Sequence, residues 1–161
     1  MKKILIACAF SALLGACAQM PGVSAPAAVA AQPILDAATL SAYHWYLVKA
    51  EDGRGRDIPA LQPGVEGVLY LAFDDQSMQV RGGCNQQFGG YALQADALRL
   101  KGLASTMKAC APKLMALDQA IAARFKGDLA AGLLGGGQSP VLVLTTVDGD
   151  VLTLEGKATG Q

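Results

Sequence analysis

The chain opens on an apolar run. Ile4 to Ala12 is apolar apart from Ser11, Leu13-Leu14 extends the run, and Met1-Lys2-Lys3 precedes it as a short basic start. This is the charged and then apolar layout of an export signal. The run is too short to span a bilayer as a stable helix, which takes about 20 residues. Residues 18–34 have no apolar period, little charge and three prolines. Such a segment buries too little surface to order itself; as a coil it reaches roughly 20–25 Å. A short helical turn follows at Asp36 to Ser41, with Asp36 as its cap. The pattern then turns to strands. His44–Lys49 is rich in strand formers, and residues 51–66, polar with Gly and Pro, read as a loop. Val68–Phe73 and Met78–Arg81 alternate around the turn Asp74–Ser77 and predict a hairpin. Tyr91–Leu93 pairs with Leu98–Lys101 across a turn at Asp96, and Val141–Val147 with Val151–Leu154 across Asp148-Gly149-Asp150. Asp-Gly between apolar runs is a strong hairpin signal. One helix interrupts the strands: from Pro112 to about Lys126, Leu114, Leu117, Ile121 and Phe125 recur at helical spacing, with Gly127 as the terminal cap. No strand is legible in the Ala- and Gly-rich stretch Leu129–Ser139. The fold class is α+β: an antiparallel β-sheet, open or curled into a partial barrel, with one packed helix.

The apolar leader ends in Leu14-Gly15-Ala16-Cys17. This resembles the lipobox of bacterial lipoproteins: an aliphatic residue, two small residues and a cysteine that takes the lipid. Three segments follow: a signal peptide over 1–16, a lipidated Cys17 with a flexible tether over 17–35, and a folded domain over 36–161. Residue 18 is Ala, not the Asp that commonly retains lipoproteins on the inner membrane. In a host with two membranes, the expected location is the outer membrane, with the domain facing the periplasm.

Four cysteines are present. Cys8 leaves with the leader and Cys17 carries lipid, so Cys84 and Cys110 remain in a compartment where disulfides persist. They read as a disulfide; the alternative is a pair of buried free thiols. Two cysteines and the lone His44 are too few for a zinc site, so no metal and no cofactor is expected. The chain balances 13 basic against 13 acidic residues, with no basic patch and no interleaved aromatics, which argues against nucleic acid. Gly135-Gly136-Gly137 lacks the Lys-Ser/Thr of a phosphate loop.

Two further segments are more specific. One is Gly82-Gly83-Cys84-Asn85-Gln86-Gln87-Phe88-Gly89-Gly90-Tyr91; the other is Leu103-Ala104-Ser105-Thr106-Met107-Lys108-Ala109-Cys110. Together they resemble the META domain family, whose bacterial members are often termed HslJ-like. That family carries Gly-Cys-Asn, then Phe-Gly-x-Tyr, then Thr-x-x-x-Cys. The early Trp45 and the final hairpin around Gly149 fit, and the likeness covers about residues 41–156. Gln86-Gln87 departs from it, standing where members commonly have a basic and an aromatic residue.

The residues favour structure over catalysis. Gly82 and Gly83 permit a bulge or sharp bend, and Asn85 tolerates the left-handed region. Phe88 and Tyr91 are expected in the core, and Thr106 on a backbone group. The motif residues Gly83, Asn85, Phe88, Gly89, Tyr91 and Thr106 are thus structural; the competing reading makes Asn85-Gln86-Gln87 a recognition loop. His44 has no identifiable nucleophile partner, and Asp74, Asp75, Arg54, Arg56 and Asp57 read as surface. The resemblance implies an envelope lipoprotein with no known chemistry, associated with stress; the expected protein is non-enzymatic and monomeric. It would bind an envelope protein partner or maintain the envelope, held on the membrane by lipid at Cys17. The alternatives are a module for a small apolar ligand or lipid, or, by fold analogy, a pilotin-like assembly factor.

Overall fold

The computed structural model describes residues 35–63, 68–135 and 139–160. The leader, Cys8, Cys17, nearly all of the tether and most of the triple-glycine loop lie outside the described residues.

The domain begins with α1 (Ala37–Ser41), capped by Asp36, whose carboxylate accepts the Thr39 N–H at 2.7 Å. The strands are β1 (Tyr43–Glu51), β2 (Tyr70–Phe73), β3 (Ser77–Arg81), β4 (Gln87–Gln94), β5 (Ala97–Leu100), β6 (Ala104–Ser105), β7 (Asp128–Leu134), β8 (Val141–Thr145) and β9 (Val151–Ala158). Between β6 and β7 runs α2 (Pro112–Arg124), with Pro112 in its first turn. A single 3-10 turn, Pro59–Leu61, falls in the loop after β1.

Every strand pairing is antiparallel. Neighbours follow chain order from β1 to β5, then β7 to β9, and β9 pairs back onto β1 with Tyr43 opposite Ala158. The result is a closed eight-stranded up-and-down barrel, with β6 as an extra short strand beside β4. This corrects the partial barrel expected from the pattern. Alternation looks the same in an open sheet and a closed one, and closure depends on the β9–β1 pairing between the two ends of the domain.

Alternate residues face inward, as pleated strands require. Trp45, Leu71, Met78, Leu98, Leu129, Leu142, Leu144, Leu152 and Leu154 are all essentially inaccessible. Leu40 of α1 and Leu117 and Ile121 of α2, with Phe125 just after it, join the same cluster. The register between β1 and β9 slips between Leu47 and Lys49. This bulge leaves Val48 and Lys49 outside and returns Ala50 to the core.

The stretch that showed no strand is β7. Its inward residues are Leu129, Ala131 and Leu133, alternating with exposed Asp128, Ala130, Gly132 and Leu134. Alanine and glycine on both faces flatten the polar–apolar contrast, and pairing with β5 and β8 supplies the order that propensity does not.

Candidate functional site

The two motif segments meet at one residue, Asn85. It is buried, and its amide meets partners at all four positions. Oδ1 accepts from Thr106 Oγ1 at 3.0 Å and from the Lys108 N–H at 2.7 Å. Nδ2 donates to the Lys108 carbonyl at 3.2 Å and to Asp118 Oδ2 at 2.8 Å. Its main-chain N–H also reaches Asp118 Oδ2, at 3.0 Å. A side-chain amide has two donor and two acceptor positions, so this one is saturated. Among the described residues outside glycine, only Ala95 has a positive φ. Asn85 therefore acts through its side chain and makes no use of the left-handed region that asparagine tolerates.

Thr106 ties the segments again. Its hydroxyl accepts the Gln86 N–H at 3.1 Å, and its own N–H donates to the Gln86 carbonyl at 3.1 Å. The backbone bond expected of Thr106 is thus present. The Cys84–Cys110 disulfide spans the same two segments, with Cα atoms 5.9 Å apart. Replacing both cysteines with serine is expected to cost roughly 3–4 kcal/mol on the chain-entropy model. Denaturant midpoints of the pair and the wild type check this. Two alkylatable thiols in the unreduced protein would overturn the bond itself.

The central partner, Asp118, lies outside the two motif segments. It sits mid-helix, is buried, and its main-chain carbonyl also accepts Gln87 Nε2 at 2.9 Å. Its Oδ1 has no hydrogen-bond partner and faces Gly83, where an added Cβ would lie only 2.0 Å away. Gly83 is therefore required for close approach. The available signal was helical spacing: residue 118 shares a face with Leu114, Ile121 and Phe125, so a carboxylate there has to be satisfied internally.

Phe88 is a correction. It is 47% exposed on the outer face of β4, whereas Tyr91 is buried. Positions three apart on a strand face opposite sides, so both could not enter the core. Tyr91 packs edge-on against Phe73 and donates its hydroxyl to the Asp74 carbonyl at 2.7 Å. Burial, then the nearby Asp74 and Asp75, pushes its phenol pKa up. Gly89 passes under Gly102, whose carbonyl oxygen would stand 1.9 Å from a Cβ there. In the proposed recognition loop, Asn85 and Gln87 are buried and Gln86 is exposed.

His44 lies on the outer barrel face, its ring 5.1 Å from that of Tyr70. Asp74 caps its own hairpin by accepting from the Gln76 and Ser77 N–H groups. Arg56 pairs with Asp52 across their loop, and that pairing holds the Asp52 carboxyl down at about 2. Among the described residues no group of three or more His, Cys, Asp or Glu side chains is placed to hold a metal. No helix among them is long and apolar enough to cross a membrane.

Beside the Asn85 network lies a groove of about 730 Å³. One wall is the segment from Gly102 to Ala109; the other is α2 with Phe125–Gly127. Leu103, Met107, Met115, Ala122 and Phe125 give it an apolar lining, and Lys108 and Lys126 add two exposed cations. The groove exists because the barrel wall changes partner here. β5 pairs with β7 only from Asp128 onward. Beyond the bend at Gly102, where φ is +95°, helix stands where a strand would continue.

A META domain family model matches residues 38–159. No curated protein matches the chain. Among solved structures, the NMR structure of a protein from Burkholderia xenovorans is 25% identical with a TM-score of 0.60. The match covers 86% of this chain and 99% of that one. A second NMR structure, 23% identical with a TM-score of 0.54, covers 76% of this chain and 95% of its own, and shows the fold alone. With a family model spanning most of its length, the chain belongs to the META domain family.

Proposed function

We propose that the protein is a non-enzymatic, stress-related envelope lipoprotein that works by binding, and that the groove between α2 and residues 102–109 is its binding site. The observation that carries the binding role is the groove itself. Its volume falls in the range of roughly 300–1,000 Å³ typical of ligand sites. It is concave and apolar with a few polar groups, as such sites are. Its walls are pre-set, because the Asn85–Asp118 network and the Cys84–Cys110 bond hold them together before any ligand arrives. The family's motif residues thus build a rigid frame for the groove.

In this reading Cys17 carries the lipid and places the domain on the outer membrane, facing the periplasm. Labelled palmitate should enter the wild type and not Cys17→Ser; equal labelling of both would remove the anchor. For the groove, Ala122→Trp fills it from an exposed helix position. The expected result is loss of envelope-stress survival at an unchanged denaturant midpoint. Full survival with the groove filled would refute the assignment.

A further inference from the structure

The groove is the place where a strand is missing, and this says what fits it. β6 is last in the strand order, hydrogen-bonded to β4 on one side only. Ala104 and Ser105 are both exposed. β5 and β6 pair in succession with β4, but only β5 has β7 as a second partner; beside β6 the groove is lined by Ser105 and Thr106 together with Ala122, Phe125 and Lys126. An unpaired strand edge facing an apolar helix wall is the arrangement in which an extended peptide adds a strand. Its main chain bonds to the edge, and alternate side chains enter the groove. A purely apolar ligand would leave the edge's N–H and C=O groups without protein partners.

The charge narrows the class. Lys108 and Lys126 both line the groove. Lys126 has one ion-pair contact, to Asp148 at 3.7 Å, with both side chains mostly exposed; such a pair holds its cation weakly. The carboxylate within the groove wall, Asp118, is engaged through Oδ2 by Asn85. Two exposed lysines against the one buried carboxylate of Asp118 leave the groove's lining with an excess of positive charge toward an occupant.

From these observations we infer that the groove takes an extended peptide, paired as an added strand on β6, with alternate apolar side chains and an acidic residue or free carboxyl end against Lys108 and Lys126. The inference rests on the groove being the binding site, and deepens that reading by naming the occupant.

The test uses the purified full chain in detergent and a soluble pool of random octapeptides with free carboxyl ends. Retained peptides are identified by mass spectrometry. The expected pool alternates apolar residues and is enriched in acidic ends. Its best member should lose tenfold or more in affinity with Ala122→Trp, and similarly with Lys108→Glu plus Lys126→Glu. N-methylation of the alternate amides on one edge should also weaken it about tenfold, since it removes the hydrogen bonds to β6. Unchanged affinity when each edge is methylated in turn would overturn the strand pairing. Dodecanoate is the control ligand. If it binds in a manner lost with Ala122→Trp and no peptide is retained, the groove remains a site and the peptide is overturned. If neither binds, both readings fall. Dimerisation of the wild type abolished by Ala122→Trp, with no peptide retained, would also overturn the peptide and assign the groove to a second copy of the chain.

Discussion

Trp45→Ala is expected to destabilise the domain by about 3–5 kcal/mol, a large part of the roughly 5–15 kcal/mol that holds a small domain folded. Trp45 is fully buried in β1, between Leu71 of β2 and Gly156 of β9. Its ring packs so closely over Gly156 that a Cβ there would lie 3.0 Å from it. The indole Nε1–H donates to the Leu40 carbonyl at 2.9 Å, stitching the end of α1 to the barrel. Alanine removes the ring, leaves a cavity and strands a buried carbonyl. Trp45→Phe keeps much of the volume and loses only the donor, so its cost should be the smaller, about 1–3 kcal/mol for the unpaired acceptor. Urea midpoints at constant slope separate the two. A midpoint unmoved by Trp45→Ala would place the indole outside the core.

Gly82→Ala should be of comparable size for a different reason. Gly82 has φ of +111°, and a Cβ there would stand 2.5 Å from the Val68 carbonyl oxygen and 2.7 Å from the Leu69 Cα. Those are backbone atoms at the entry to β2, so no side chain can swing aside. The strained φ costs about 1–3 kcal/mol, and forcing the two segments apart adds roughly 1–3 more. Gly132→Ala is the control. It sits on β7 with nothing within 4 Å of the new methyl, and is expected to fall within about 0.5 kcal/mol of wild type. Equal midpoints for the two variants would show that the 68–69 backbone does not press on Gly82.

What was legible in the sequence follows from the range of the forces involved. The cap at Asp36, the Pro112 helix start and the Asp148-Gly149-Asp150 hairpin are decided within a few residues, and each appears where local chemistry puts it. β7 was invisible because its outward positions include Ala130 and Gly132, which carry no polar signature. Asp118 carries no local signature, because it is a polar residue on an otherwise apolar helix face and its partners lie some 30 positions earlier, at Asn85 and Gln87. The disulfide was countable from the chain, but the groove was not. It depends on β5 losing its second partner at Gly102, a fact about three separated segments. Phe88 shows the reverse failure: hydrophobic identity outweighed a parity rule that was already available from Tyr91.

The ring of strands also sets when the domain can exist. Tyr43 and Ala158 are paired partners, and the Thr159 N–H reaches back to the Ala42 carbonyl at 3.1 Å. The first strand is thus flanked by the second and by the last. Until the final residues have left the ribosome, β1 and β8 each present a bare edge, and the barrel has no way to close. Contacts this far apart along the chain form slowly. A growing chain is therefore kept open until its last strand appears, and the domain folds only once β9 is available to close the ring.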